Sequence, residues 1–548
     1  MKDAANSRIM VLGLDGGTWQ IFKPLLDLGV MPHLQTLVEQ GAHGVLKSVV
    51  PSVTAPAWAS FATGNEPVKH GIFDFRQFSP KNHRESFVNS TSIHGETLWK
   101  VLSRAGKKSL IVNVPITFPV QPINGIMISG MMSPGISGKL EPEFCYPFEY
   151  GKKLAKQFPD YRMFVSQDIF YKEGLDAFIS KLVKGVENRL ALSLHLMEEN
   201  PWDFFMVHFQ NLDSLQHALW PALMKMICEM QSGKMQSHRI LDYFRKLDTA
   251  IGRLAGQLSE NDVLIVLSDH GFGPLNRFFN LNAWLINQGL LALNKTSAWE
   301  QVQLKLYKKI LRALYRCQFD QNNFLNKILY RLKNKLNLFE NLQVIDWQQT
   351  KLFSPFGPQI FGLIYFMPEF QHENLRADLI NEISTKIRKI KDPENNEEIA
   401  EEIYQVSKYL QDPVTEKSPD LIIQLKPGYI CNSCAAESGV FRAANLDRGT
   451  HQIDGMVVFH GHNIRNGLML KNARIIDLMP TILSIFNIPI RNEIDGRILT
   501  EVFEIMLPKN GKAVHSFGNI DDKSNEYVYN EAESEQIARH LKNLGYLN

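Results

Sequence analysis

From Val263 to Gly271 the chain reads VLIVLSDHG, an unbroken apolar run followed by an acid, a histidine and a glycine. A strand that stays apolar without alternation is buried on both faces, as in a parallel sheet covered by helices. Ligands of such sheets gather beyond the carboxyl ends of the strands. Neighbouring strand residues point to opposite faces, so Asp269 and His270 converge only where the strand gives out and the backbone turns. Gly271 allows that turn. An Asp-His pair at this place is a stronger metal signal than either residue alone.

The pattern repeats along the chain. Ile9 to Leu14 form another apolar run, ending in Asp15-Gly16-Gly17, where Asp15 is a turn residue or a ligand at a strand's end. Helical character is read from Phe22 to Gln40, with Gly41 as the C-cap. In PSVTAPAWASFATG, Pro51 to Gly64, Thr54 precedes Pro56, and proline is tolerated in the first turn of a helix. Thr54 is therefore expected as the last residue before a helix. It either caps that helix or stands as a nucleophile where free N–H groups favour a phosphate. A helix is expected from Leu175 to Glu198, a strand from Asp203 to Phe209, and an amphipathic helix from Ile240 to Ser259. Asp213 and His217, four apart, share one face of a helical turn, as two ligands of one ion or as a cap and a surface histidine. The strand MVVF lies between His451 and His460-Gly461-His462, and of these three histidines one suffices as a ligand.

Composition narrows the class. With 548 residues, 44% hydrophobic and 21% charged, the chain is that of a globular α/β enzyme with insertions. Its net charge of +2 gives no basis for a nucleic-acid partner or an acidic membrane surface. No apolar run approaches the roughly 18 residues that span a bilayer. The opening segment reads as a first strand rather than a signal peptide. Five cysteines, an odd number, fit a reducing compartment, so the cytoplasm is the expected location. Cys431 and Cys434 form a lone CxxC, read as a loop with two thiols. The expected fold is α/β, a mostly parallel central sheet sandwiched by helices, with core segments at 1–133, 171–298 and 339–508. Residues 134–170 are expected as an insertion near the site and 299–338 as a basic helical cap. A polar tail, 509–548, is expected to end in a helix from Glu531 to Leu544 closed by Gly545.

Three aspartates, at least three histidines and one hydroxyl, each near a strand end or a helix start, suit zinc, with manganese as the substitute. Two such ions roughly 4 Å apart would clamp the entering and leaving oxygens of an in-line displacement. The order and spacing of these stretches resemble the alkaline phosphatase superfamily. The likeness is closest to its type I phosphodiesterase/nucleotide pyrophosphatase branch and the phosphohydrolase/phosphomutase group within the superfamily, over roughly Ile9 to Thr500. The resemblance implies that Asp15, Thr54, Asp269 and His270 hold one ion, with Thr54 the nucleophile, and that Asp213, His217 and His451 hold the other. His451 is chosen because GTHQIDGMVVF matches the family's final Gly-x-His-x-x-x-Gly, which His460 and His462 do not.

The same resemblance implies hydrolysis of a small phosphate mono- or diester through a phospho-threonine intermediate. A phosphomutase or phosphotransferase would hand that intermediate to an acceptor hydroxyl, and a binding protein would keep the ions without turnover. VTAPAWAS lacks the Cys/Ser-x-Pro-x-Arg of the superfamily's sulfatases, which argues against sulfate esters. In HGIFDFRQF there is no counterpart of the Asn that nucleotide-cleaving members carry soon after His-Gly-Ile. Arg76 is the expected replacement for stabilising phosphoryl charge.

Overall fold

The computed structural model describes residues 7–135, 138–294, 345–357, 359–370, 373–408, 416–433, 439–444, 448–505 and 526–547. Its central sheet is built from β1 (Ile9–Leu14), β2 (Ala42–Lys47), β3 (Ser109–Val114), β4 (Gly125–Ser129) and β5 (Cys145–Tyr146). It continues with β6 (Phe204–Phe209), β7 (Val263–Leu267), β8 (Asp454–Gly461) and β9 (Leu468–Arg474). The spatial order is β9-β2-β8-β7-β1-β6-β3-β4-β5. Strands β7, β1, β6, β3 and β4 run parallel, whereas β8 is antiparallel to both β7 and β2 and β5 is antiparallel to β4. The fold is thus the α/β class expected, with a mostly parallel sheet.

Unbroken apolar strands are explained by helices on both faces. Met10, Leu12 and Leu14 of β1 pack into one core layer, and Ile9 and Val11 into the other. Helices α1 (Trp19–Asp27) and α2 (Pro32–Glu39) stand where one helix from Phe22 to Gln40 was expected. Gly29 takes φ +67° just after α1, and Pro32, lacking an N–H, opens α2. The chain turns between them, and Gly41 caps neither.

Further along, α3 (Thr54–Thr63) is buried along its whole length. Helices α4 (Leu175–Glu199), α5 (Asn211–Gln231) and α6 (Leu241–Ala255) follow, α4 and α6 close to their expected bounds. A smaller antiparallel sheet, including Phe361–Phe366, Leu421–Leu425 and Ala400–Gln405, encloses a separate core around Leu363, Ile383 and Ile423. The basic cap expected at 299–338 lies outside the described residues, as does Cys434. Within 134–170 the chain supplies β5 at the sheet edge and a segment, Ser166 and Gln167, that meets the C-terminal helix.

That helix, α7 (Glu531–Leu544), has a complete capping box: Asn530 accepts from Glu533 N at 3.0 Å and its own N–H reaches Glu533 Oε2 at 2.9 Å. Gly545 closes it at φ +89°. Ile537, Leu541 and Leu544 are fully buried in the main core, which contributes about 6 kcal/mol. Residues 526–547 are therefore an anchored part of the domain. Among the described residues no helix is long and apolar enough to cross a membrane.

Candidate active site

The site lies where strand ends and helix starts meet. Asp15 follows β1, and its N–H still bonds to Phe209 O of β6 at 3.2 Å. Asp269 and His270 stand in the turn after β7, and the chain then re-enters as a short strand, Gly271–Pro274. That strand pairs antiparallel with Gly449–Gln452 and sets Phe272 opposite His451. A Cβ on residue 271 would lie 2.0 Å from Asp454 O, so crowding rather than a left-handed dihedral calls for glycine there. Asp213 and His217 occupy the first turns of α5, directly after β6.

Thr54 is the first residue of α3, and Val53 is the N-cap, with Ala57 N bonded to Val53 O at 3.0 Å. Thr54 thus sits one position further in than expected, and its hydroxyl does not cap the helix. Instead Oγ1, fully buried, is 3.3 Å from His270 Nε2. The N–H groups of Thr54 and Ala55 belong to the first turn, where no carbonyl of the helix reaches them, and Pro56 has no N–H to leave over.

Asp15, Asp269 and His270 form a first group whose ligand atoms all lie within 4.8 Å of one another. His270 Nε2 is 3.4 Å from Asp15 Oδ1 and 3.5 Å from Asp269 Oδ2. These are ion-pair contacts without hydrogen-bond alignment, and both Asp15 oxygens and Asp269 Oδ2 are buried with no hydrogen-bond partner. Burial and the charge of Asp213 raise the Asp15 carboxyl to about 6. For Asp269, burial and the nearby Asp15 raise it to about 7. Burial disfavours charge on His270, but Asp269 and Asp15 outweigh it and raise the imidazole to about 10. The pocket holds more negative charge than its own donors satisfy, as a cation site does. His270 Nδ1 donates to Gly271 O at 3.0 Å, which turns Nε2 toward the carboxylates.

Asp213, His217 and His451 form the second group, also within 4.8 Å. Asp213 Oδ1 lies 3.1 Å from His451 Nε2 and 3.3 Å from His217 Nε2, and the two nitrogens are 3.0 Å apart. All three atoms point to one centre. Burial would raise Asp213, but His217 and His451 hold it well below the usual carboxylate range. Burial, and then the charge of His270 stacked 3.7 Å away, lower His451 to about 3, so it is neutral and able to ligate. His217 Nδ1 donates to Gly449 O at 3.2 Å. His460 and His462 belong to neither group. The donors in both groups, carboxylates and oriented imidazoles, fit zinc or manganese.

Arg76 is placed differently from the other expected residues. Its guanidinium donates to Glu85 Oε2 at 2.9 Å and lies 4.9 Å over the Phe356 ring. Among the described contacts none joins it to either ligand group.

Two residues of the site went unread in the sequence. His208, within the apolar run of β6, has Nε2 3.3 Å from Asp15 Oδ2. Burial lowers its imidazole to about 3. A histidine inside an otherwise apolar FFMVHF was the available signal. Tyr546, next to Gly545, donates to Asp213 Oδ2 at 3.1 Å, with its hydroxyl 3.1 Å from Thr54 Oγ1. Burial raises the phenol well above its ordinary value and keeps it protonated. Nothing in the local sequence marks it.

Comparison with known proteins adds the lineage. The profile of the family described as type I phosphodiesterase / nucleotide pyrophosphatase matches residues 9–455. Among solved structures, human ectonucleotide pyrophosphatase / phosphodiesterase 5 is similar at 13% identity and a TM-score of 0.51, covering 91% of this chain and 100% of that one. Phosphonoacetate hydrolase from Sinorhizobium meliloti 1021, in complex with phosphonoacetate, aligns at 14% identity and 0.49, covering 87% and 94%. At such identities the likeness is one of fold. No curated protein matches the chain.

Proposed function

The chain belongs to the type I phosphodiesterase/nucleotide pyrophosphatase family, and from that premise we propose that it hydrolyses a small phosphate ester, a diester or a monoester, using two divalent cations and Thr54. One observation carries the reading. The Thr54 hydroxyl touches His270 of the first ligand group, and a single intervening hydroxyl links it to Asp213 of the second. A nucleophile between two cation-ready clusters is the arrangement for in-line displacement at phosphorus.

In this reading Asp15, Asp269 and His270, with Thr54, hold one cation, and Asp213, His217 and His451 hold the other. The orphaned oxygens of Asp15 and Asp269 support such a fit. When bound, zinc or manganese supplies the positive charge that favours loss of a proton from a hydroxyl or a water and offsets charge on phosphoryl oxygens. Thr54 Oγ1, its proton lost, forms a bond to phosphorus as the bond to the leaving alcohol oxygen breaks. That alcohol departs with a proton. Water then adds to phosphorus, the Oγ1–P bond breaks, and the threonine hydroxyl and free phosphate or phosphomonoester are restored. The unspent N–H groups of Thr54 and Ala55 favour the negative charge gathered there.

The test is turnover of an aryl phosphate diester and monoester by metal-stripped protein with zinc or manganese restored, beside Thr54→Ala. Metal-dependent release of the phenol, lost in Thr54→Ala, is expected. Turnover indifferent to metal, or retained by the variant, would overturn the reading. Transfer to an added alcohol in place of water would move it to a phosphotransferase.

A further inference from the structure

Tyr546 stands near the C-terminus of the sequence, yet its hydroxyl is closer to Thr54 Oγ1, at 3.1 Å, than is His270 Nε2, at 3.3 Å. The segment around it is clamped. Gln167 N and Ser166 Oγ donate to Asn543 O at 3.1 and 3.2 Å, Gln167 Nε2 donates to Leu544 O, and Tyr546 N returns to Leu541 O at 2.9 Å. The ring rests on Phe75, centroids 4.7 Å apart, and meets His451 edge-on at 5.7 Å. Withdrawing this residue together with α7 would expose Ile537, Leu541 and Leu544, all fully buried. Tyr546 is therefore resident in the site rather than a loose end that has drifted in.

Its oxygen bridges the nucleophile and Asp213 Oδ2, 3.1 Å from each. A reacting phosphoryl group must bring an oxygen to this same place, because it has to stand about 3 Å from Oγ1 and within reach of both ligand groups. Resting on the hydrolysis proposed above, the geometry points to Tyr546 as a further catalytic residue whose O–H donates to an unesterified oxygen of the transferred phosphoryl group. That oxygen takes the place that Thr54 Oγ1 and Asp213 Oδ2 hold as its partners. Arg76, tied to Glu85 and Phe356, leaves this donor position to the phenol.

The test is Tyr546→Phe in the full chain with zinc restored. It reads kcat and KM on the aryl esters, zinc content, Tm, and calorimetric binding of inorganic phosphate. Expected is a kcat lower by about 10²-fold with zinc content held and Tm within a few degrees, and KM raised and phosphate affinity lowered, each by up to about 10-fold. Phe75→Leu, which loosens the ring's seat but keeps the hydroxyl, is expected to lose far less kcat. An unchanged kcat overturns the proposal, and so does a raised one, which would make Tyr546 a plug. An equal loss in Phe75→Leu also overturns it, by making the effect one of packing. Absence of turnover in the wild-type chain would sink the proposed hydrolysis by itself. Tyr546 is then judged on phosphate binding, where equal affinities in wild type and variant overturn its role.

Discussion

Asp15, Asp269 and His270 bring two carboxylates to one imidazole, whereas Asp213, His217 and His451 bring two imidazoles to one carboxylate. The first group is wholly buried, with three oxygen atoms lacking any hydrogen-bond partner. In the second, His451 and the Tyr546 hydroxyl already bond to the two oxygens of Asp213, and His217, 3.3 Å away, is partly exposed. The same side-chain types thus reach opposite states: burial and mutual repulsion raise Asp15 and Asp269, while His217 and His451 hold Asp213 down. The first group leaves buried carboxylate oxygens without partners, and the second largely satisfies its own.

That contrast gives its sharpest prediction in the sign of two substitutions. Asp269→Asn and Asp213→Asn are each expected to lower turnover by more than about 10³-fold, since each removes a proposed cation ligand. In metal-stripped protein near pH 8 they diverge. Asp269→Asn removes a buried charge that burial and the nearby Asp15 disfavour and should stabilise the fold by on the order of 2 kcal/mol. Asp213→Asn removes the charge facing His217 and puts an amide donor in place of one of the two oxygens that accept from His451 and Tyr546, and should destabilise it by a similar amount, about 2 kcal/mol. Melting both metal-free variants beside wild type decides the matter, and shifts of the same sign would break the comparison.

A smaller effect is expected at His208, which contacts Asp15 without belonging to the group. His208→Ala should weaken one cation by about 10-fold, measured by competition with a chelator, and leave the other unchanged. Loss at both sites would mean that the two groups act as one.

The pH dependence follows from the same shifts. A carboxyl raised on folding contributes stability that is present below its unfolded value, 3.8, and is lost as pH rises through its folded value, about 6 for Asp15 and about 7 for Asp269. Asp213, depressed on folding, contributes stability present above 3.8 and lost on acidification below it. Above the unfolded histidine value of 6.5, where the lowered His208 and His451 no longer oppose it, metal-free protein should therefore melt progressively lower up to about pH 8, and Asp269→Asn should flatten that decline. An unaltered slope in the variant would place the titration elsewhere.

The smallest effect is expected from Arg76→Ala. With its guanidinium on Glu85 and Phe356, the change should leave kcat within about twofold and cost about 1 kcal/mol of stability. A loss of kcat approaching that of Tyr546→Phe would return Arg76 to the site.

What the sequence revealed follows from how the fold is made. Asp15 and Asp269 were legible because apolar runs end just before them, and the fold class was legible because those runs do not alternate. Helical spacing put Asp213 and His217 on one face but left them as ligands or as a cap and a surface histidine, and only the family resemblance chose between the two. Local pattern erred where backbone detail decides: Gly29 and Pro32 divide a periodic stretch into α1 and α2, and α3 starts one residue early, which frees the Thr54 hydroxyl. Tyr546 could not be read at all, because its partner lies 492 positions away and its neighbours announce only a helix end. Long-range convergence of this kind is a property of the packed core, not of any window of sequence.

Counting ions is the most direct measurement. The metal-stripped full chain would be equilibrated with zinc, freed of excess, and assayed for bound metal per chain. Two ions are expected for the wild type, and one each for the doubles Asp15→Asn/Asp269→Asn and His217→Ala/His451→Ala. A single ion in the wild type, or loss of all metal from either double variant, would contradict two separate cation sites around Thr54.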